Sequence, residues 1–480
     1  MSKQFKYEQI VHSIEEKIYQ KIIVVGEKLP SIRAACNELS VSPSTIFKAY
    51  YELETRGLIE ARNKSGYYVS LNGAQQKKLN QKDEQIKQNL KPLAKAKNVD
   101  EMIQELEQSK LGDIEVDFSS GSPSIDMLPI QKINKSIRSS TLTENNKHIL
   151  YEDPHGSIEL RKLILSKMLT TEKMYHVEDL VITAGCLEAV NICLNILLKT
   201  GDSILTDTSN YYYLLSLVKN LDIKVHIYPF NTNVKFDENE FEKVLKKKRI
   251  KVCLLTSNFH NPTGLSFSNE TKKKIVTIAT KNKVSIIEDD VYSDLYFGKR
   301  KPFSLKHFDT EGIVYYCSSF SKTLVPGFRI GYCIPGSKTE EFAKYKRLTS
   351  FATNSISQAA IVHFMKTSRY DFHLKSLRKK LHLNMLKYGD AILQYFPSSV
   401  KFNIPKGGYV FWIEFPLHFD SYLFYRKVLE KKVLITPGEI FSTNGFYKNF
   451  IRISYSEPYT EKIEKALKRI GELAHSMLNQ

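Results

Sequence analysis

The sequence lacks any cysteine pair at the spacing of a structural zinc site or a redox motif. Its six cysteines (36, 186, 193, 253, 317 and 333) are scattered, which points to a reduced, cytoplasmic protein without such a metal site. No run approaches the roughly 20 apolar residues that a membrane span needs. The opening Met1-Ser-Lys-Gln-Phe-Lys-Tyr-Glu8 has no apolar core of the kind found in secretory leaders. A cytoplasmic protein with no membrane partner is therefore expected.

What is present is a long, basic chain. At 480 residues it exceeds one ordinary core, so two or three domains are expected. A hydrophobic content of 42% with 25% charged residues is that of a soluble globular protein. The net charge of +18 is spread unevenly: residues 1–72 and 73–112 each carry +2, and the remainder carries +14. The surplus thus lies mostly in the larger, later part. A basic face there could lie against DNA phosphates, and solvated lysines account for it equally well.

The first seventy residues have a regular pattern. Tyr7, Ile10, Val11, Ile14 and Ile18 recur at helical spacing, and Gly26 and Pro30 end that helix. A second, short helix over Ser31–Leu39 places Ile32, Ala35 and Leu39 on one side. Ser42 is a good N-cap and Pro43 a good first residue for a third helix running to about Arg56. Its inward positions are Ile46, Ala49, Tyr50 and Leu53. Leu58–Arg62 and Tyr67–Leu71 read as strands joined through Asn63-Lys-Ser-Gly66. The order is helix, helix-turn-helix, then a two-stranded wing. In such a unit the start of the last helix enters the major groove. Ser42, Ser44, Thr45 and Lys48 are the candidate DNA contacts there. Arg33 and, in the wing, Arg62 and Gly66 would meet phosphates or a neighbouring groove.

The motifs Leu29-Pro-Ser-Ile-Arg33, Val41-Ser-Pro-Ser-Thr-Ile46, Ala49-Tyr-Tyr-Glu-Leu-Glu54 and Ser65-Gly-Tyr-Tyr-Val69 resemble the winged helix of GntR-type bacterial regulators over nearly all of residues 5–71. Cys36-Asn37 depart from that family's apolar or small residues. The resemblance implies binding of operator DNA by a dimer. Residues 73–112, rich in Lys, Gln, Asn and Glu, read as a linker, with a short helix near Val99–Leu106.

From Ile114 onward apolar β-rich runs alternate with helical stretches, the pattern of an α/β fold with a largely parallel sheet. Ligands in such folds gather beyond the carboxyl ends of strands. Leu180–Thr183 is a strand that feeds Ala184-Gly-Cys186 and a helix over Leu187–Leu198, where free N–H groups suit a phosphate. Lys251–Thr256 opens into Asn258-Phe-His-Asn-Pro-Thr-Gly264. Val284–Ile287 ends in Glu288-Asp-Asp-Val-Tyr292, carboxylates that are costly to bury without a partner. Ile313–Cys317 leads to Ser319, Ser321 and Lys322, with Arg329 seven residues on. Taken singly, each has a plainer reading: a surface lysine, a βα turn, a turn asparagine, a helix-capping aspartate.

Their order and spacing resemble the fold-type I, aspartate-aminotransferase-like family of pyridoxal-phosphate proteins, from about Asp117 to Arg452 and beyond. The resemblance implies pyridoxal 5'-phosphate as cofactor, with Lys322 as its Schiff-base lysine. Asp289 then pairs with the ring nitrogen, and Asn261 and Tyr292 with the ring oxygen. Gly185, Cys186, Ser319, Ser321 and Arg329 hold the phosphate, and Tyr211 of Asp207-Thr-Ser-Asn-Tyr211 stacks on the ring. Tyr151 of Tyr151-Glu-Asp-Pro-His-Gly156 reaches across a homodimer to the partner's phosphate. Arg452, with Gly121, meets a substrate carboxylate, which a guanidinium fork fits in a bidentate way. Thr208-Ser209 stands where the family has a proline-containing stretch, and Tyr212-Tyr213 follow the stacking residue.

The whole is a multidomain chain: an α+β winged helix, a linker, and an α/β fold-type I transferase domain over 113–480 with a smaller C-terminal α+β subdomain. This is similar to the MocR subfamily of bacterial regulators. The resemblance implies a transcription factor that senses an amino compound through aldimine formation at Lys322. The alternative is a working aminotransferase with an auxiliary DNA-binding domain.

Overall fold

The computed structural model describes residues 6–19, 22–62, 65–70, 98–142, 150–168, 175–230, 236–367, 369–442 and 446–479. The chain divides into two compact units, Met1–Ala94 and Lys95–Gln480. Among the described residues no helix is long and apolar enough to cross a membrane.

In the smaller unit the helices are Lys6–Tyr19, Ile32–Leu39 and Pro43–Thr55, followed by strands β1 (Ile59–Arg62) and β2 (Gly66–Val69). β1 and β2 pair antiparallel. Each short helix is started by a serine. The Ser31 hydroxyl accepts the Ala34 N–H at 3.2 Å, and Ser42 that of Thr45 at 3.4 Å. Such a cap stabilises a helix by about 1 kcal/mol. The expected inward residues Ile46, Ala49, Tyr50 and Leu53 are all buried, and Tyr50 donates to the Pro30 carbonyl at 2.9 Å. The second helix ends at Leu39 as expected, before Ser40 in the left-handed region (φ 52°); of the residues on its one side, Ala35 is buried, Ile32 half-buried and the terminal Leu39 47% exposed. Gly66 begins β2 and does not belong to the turn. Asn63, Lys64 and Leu71, expected in the wing, and residues 73–97 of the expected linker lie outside the described residues.

The larger unit is built on a seven-stranded sheet of β4 (Val181–Thr183), β5 (Ser203–Thr206), β6 (Lys224–Ile227), β7 (Ile250–Leu255), β8 (Ser285–Asp289), β9 (Val314–Ser319) and β10 (Gly331–Ile334), in the order β4-β10-β9-β8-β7-β5-β6. All its pairings are parallel except those of β10, which runs against both neighbours. β4, β7, β8 and β9 therefore end on one edge of the sheet. Their side chains are almost entirely buried, as expected when helices cover both faces.

A smaller subdomain holds an antiparallel sheet of β11 (Lys401–Phe402), β12 (Val410–Glu414), β14 (Thr436–Pro437) and β15 (Phe450–Ser454), in the order β11-β12-β15-β14. β3 (Val116–Asp117) pairs in parallel with β13 (Val433–Leu434). The helix Val99–Ser109 lies within the segment expected as linker, yet its Met102 and Leu106 sit in the core formed with Phe411, Tyr425 and Phe441. Burying a side chain such as Leu106 contributes about 1.5–3 kcal/mol, which fixes this helix to the larger unit.

Candidate functional site

Lys322 owes its position to β9. All six β9 residues are buried, so the chain emerges at Ser319 and turns at once through the short 3₁₀ segment Phe320–Lys322. The Phe320 N–H bonds the Ile330 carbonyl at 3.0 Å, closing the loop, and the Tyr409 hydroxyl donates to the Lys322 carbonyl at 2.6 Å. The Lys322 ammonium donates to the Ser122 hydroxyl at 2.9 Å inside a cavity of about 220 Å³. Burial, reinforced by Arg452 and Arg329 and opposed by Asp289, lowers its pKa to about 8.

Asp289 is the last residue of β8, and burial raises its carboxyl to about 6. The Cys186 thiol donates to it at 3.4 Å, and burial pushes that thiol well above its usual range. The adjoining carboxylates are satisfied elsewhere. Glu288 accepts from the Ser257 hydroxyl (2.6 Å) and the N–H groups of Leu305 (2.7 Å) and Lys306 (3.0 Å). Asp290 accepts from Asn258 (3.0 Å) and the Tyr316 hydroxyl (2.8 Å), and buried Lys272 donates to Asn258 at 2.6 Å. Of the three acids, Asp289 alone lines the cavity.

One end of the cavity suits an anion. Gly185 (φ 89°) precedes the helix Cys186–Leu197, whose first N–H groups lack intrahelical partners. A Cβ at Gly185 would collide with the Arg329 guanidinium. Arg329 donates to the Ser321 hydroxyl at 3.1 Å and to the Ala184 carbonyl at 3.3 Å. Ser319 and Cys186 line the same cavity.

At the other side Arg452, on β15 and 2% exposed, donates to the Asn261 side-chain amide oxygen at 2.9 Å, to the Thr436 hydroxyl at 3.2 Å and to the Ser119 backbone carbonyl. Its Nε has no partner among the described residues. Asn261 donates to the Tyr292 hydroxyl (3.5 Å), which donates to the Gly121 carbonyl (3.3 Å). Burial keeps the Tyr292 phenol well above its usual range. A Cβ on Gly121 would stand 3.3 Å from the Tyr292 hydroxyl and 3.9 Å from Arg452, so this glycine keeps the space beside Arg452 open. Tyr211 lines the cavity, with burial raising its phenol to about 12.

Most residues expected at the cofactor site thus come together around Lys322. Tyr151 does not: it is 88% exposed and packs on Phe351 at 5.2 Å. Sequence reasoning missed Ser122, Thr256, Leu187 and Val291 in the lining. The run Ser119-Ser-Gly-Ser-Pro123 was the available signal for Ser122. Tyr212 and Tyr213, which follow the stacking residue, pack against Tyr211 at 4.8 and 5.4 Å, and Tyr212 donates to Glu107 at 3.0 Å. They anchor the helix Val99–Ser109.

In the smaller unit the Ser42 hydroxyl lies 2.9 Å from that of Ser44 and 2.8 Å from that of Thr45, at the start of the last helix. Lys48 places its ammonium 3.9 Å from the Tyr7 ring centre. Arg62 pairs with Glu60 at 2.7 Å and lies over Tyr68. Arg33 is exposed, and Gly66 has φ 106°. Phe47 and Tyr51, 55% and 62% exposed on the same helix, were not anticipated.

Comparisons with known proteins match both units. The family model for aminotransferase class I and II covers residues 113–470, and that for bacterial regulatory proteins of the gntR family covers residues 6–69. The chain is 32% identical over 478 residues to the uncharacterized HTH-type transcriptional regulator YdcR of Escherichia coli (strain K12), spanning 98% of this chain and 100% of that one. It is 28% identical over 449 residues to the HTH-type transcriptional regulator NorG of Staphylococcus aureus (strain USA300), spanning 92% and 98%. Among solved structures, a multiple substrate aminotransferase from Thermococcus profundus aligns with a TM-score of 0.73 at 25% identity, covering 81% of this chain and 96% of that one. LysN, an alpha-aminoadipate aminotransferase from Thermus thermophilus, shares the fold with a TM-score of 0.72 at 23% identity, over the same shares. That fold is the one used by pyridoxal-phosphate-dependent aminotransferases, and the gntR-type unit implies DNA binding. The chain belongs to the aminotransferase class I and II family and, with its gntR-type helix-turn-helix unit, is a transcriptional regulator of the MocR type.

Proposed function

We propose that this regulator holds pyridoxal 5'-phosphate at Lys322 and uses it to sense a small amino compound, whose capture alters the affinity of a homodimer for operator DNA. The observation that carries this reading is a buried lysine of lowered basicity, placed between a buried carboxylate and an anion-binding turn. The donor set fits the cofactor. Arg329, Ser319, Ser321 and the N–H groups at Gly185 and Cys186 would hold the phosphate. Asp289 would pair with the ring nitrogen, Asn261 and Tyr292 with the ring oxygen, and Tyr211 would cover the ring. When bound, pyridoxal phosphate supplies an aldehyde that combines reversibly with amines and a ring that draws electrons from them.

The chain's own groups account for the remaining requirements. Lys322 is a competent nucleophile because a pKa near 8 leaves a usable fraction of free amine at neutral pH. Arg452, with one N–H unpartnered among the described residues and Gly121 leaving room beside it, would bind a carboxylate. Tyr151, exposed and not among the residues lining the cavity of its own chain, would serve the partner's site in a homodimer.

A second reading, full transamination, is favoured by the same lysine, which can carry a proton between atoms of a bound substrate. The two separate experimentally. The purified protein is titrated with amino acids and amines while its visible absorbance and its affinity for promoter DNA are followed. A sensor changes both at one ligand concentration without steady product formation. Turnover at ordinary enzyme rates, or DNA affinity indifferent to the spectral change, contradicts the sensor reading.

A further inference from the structure

We propose a second ligand site in the larger unit, one that takes an organic ammonium ion with an apolar body. It is a cavity of about 520 Å³ that, among the described residues, shares no lining residue with the Lys322 cavity. The two are joined by one segment: Asp207, Thr208 and Ser209 line the new cavity, and Tyr211 lines the other.

The wall is aromatic for a reason visible in β12. Phe411 and Ile413 point into the core and are fully buried, so by strand alternation Trp412 and Glu414 point the other way. Phe450 stacks on Trp412 (centroids 5.1 Å, 23°), and Tyr447 stands edge-on to both, at 5.4 and 5.1 Å. All three rings are only half-buried, unlike the core aromatics Tyr409 and Phe411, so they keep free ring surface on the cavity. The Tyr447 hydroxyl is used up, donating to Thr208 at 2.6 Å. What the wall offers a ligand is ring surface.

The charge is negative. Glu414 and Lys401, opposite each other in register across β11 and β12, bring one charge of each sign to the lining. That leaves Asp207. Its Oδ1 accepts from the Thr208 N–H (2.6 Å), the Thr208 hydroxyl (3.2 Å) and the Phe230 N–H (3.4 Å), while Oδ2 has no partner among the described residues. Burial raises this carboxyl to about 6, the mark of an acid without a counter-ion. Half-buried aromatic faces beside an unpaired carboxylate attract an organic cation, by cation–π attraction and by charge. Neutral or anionic aromatic compounds would leave Asp207 unpaired.

The site also touches the machinery of the first one. Trp412 is in register with Arg452 and meets Phe441 edge-on at 5.6 Å, and the Arg452 guanidinium lies 5.0 Å from the Phe441 ring centre. A ligand on the Trp412 wall therefore bears on the arginine assigned to the carboxylate.

Trp412 is the sole tryptophan of the chain, so intrinsic fluorescence reads this wall directly. The probe is phenyltrimethylammonium, whose quaternary nitrogen cannot condense with an aldehyde and is silent at Lys322. Titrating the full-length protein should give a saturable change in tryptophan emission, with benzyl alcohol and benzoate giving none in the same range. Asp207→Asn should weaken the probe at least tenfold. Phe450→Leu, which keeps the carboxylate and removes one ring, should weaken it severalfold, and serves if the first variant does not fold. Absence of a saturable change, equal binding of benzyl alcohol, or unchanged affinity in a folded variant at either position overturns the proposal.

Discussion

The two units present their candidate residues in opposite ways. In the helix-turn-helix unit, Arg33, Ser42, Ser44 and Lys48 stand at the surface, held by short local contacts such as the Ser42 hydroxyl pairs and the Lys48–Tyr7 contact. Around Lys322 the candidates are buried and bonded to one another across distant parts of the chain, as in the series Arg452–Asn261–Tyr292–Gly121. A surface set awaits a charged, hydrated partner and can lose a member with a graded effect. A buried set has fixed geometry before any ligand arrives, so losing one member leaves others unsatisfied. Substitutions in the cavity should thus act steeply and those on the helix gradually.

The largest contrast comes from Lys322→Ala, which should abolish the visible absorbance of the cofactor-bound protein while leaving promoter affinity without effector within a few-fold. Retention of that band would break the assignment of Lys322. Next comes Arg452→Lys, which replaces a fork with a point charge and strands the Asn261 acceptor. With hydrogen bonds to charged groups contributing roughly 1.5–3 kcal/mol, carboxylate-bearing effectors should bind about 10- to 100-fold more weakly by absorbance titration, and amines without a carboxylate should change little.

A pH profile sharpens the same side. Only the unprotonated amine attacks an aldehyde, and a lysine pKa of about 8 makes that fraction rise about tenfold per pH unit below it. Stopped-flow capture of pyridoxal phosphate by the apoprotein should therefore accelerate from pH 6 to 8 and level off above. A rise continuing to pH 10 would mean that burial does not lower this pKa.

Effects on the DNA side should be smaller. Lys48→Ala should weaken promoter binding at all sequences alike and reduce the slope of log affinity against log salt by about 1 if the ammonium leaves Tyr7 for a phosphate. An unchanged slope would keep Lys48 as a packing partner of Tyr7. The smallest effect is expected from Glu107→Gln, which weakens the bond to Tyr212. Effector affinity should shift by less than about 1 kcal/mol, with the change larger in the DNA response if the helix Val99–Ser109 carries the signal.

Legibility in the sequence followed the same division. Residues fixed by local rules were readable: Ser42 with Pro43 starts a helix, and Ile46, Ala49, Tyr50 and Leu53 follow its period into the core. The candidates Asp289, Ser319 and Lys322 were readable because they lie at or just beyond the ends of parallel strands, which bring them to one edge of the sheet. Contacts made through space were not. Ser122 meets Lys322 from 200 positions away, and Glu107 meets Tyr212 from 105 positions away, and no local pattern records such pairings. The end of the second helix at Leu39 was readable, but helical spacing alone does not reveal that this last residue stands 47% exposed. The segment 98–109 reads as linker by composition, yet Met102 and Leu106 on one face suffice to seat it in the core.

The most direct test of a buried lysine that reports to DNA is one titration with two readouts. Holding the protein on fluorescently labelled promoter DNA, an amino compound that shifts the visible absorbance is added while anisotropy is recorded. The expected result is that both signals change with the same midpoint, and that Lys322→Ala loses both responses while still binding the DNA. An absorbance change that leaves anisotropy flat, or an anisotropy response that survives Lys322→Ala, would contradict it.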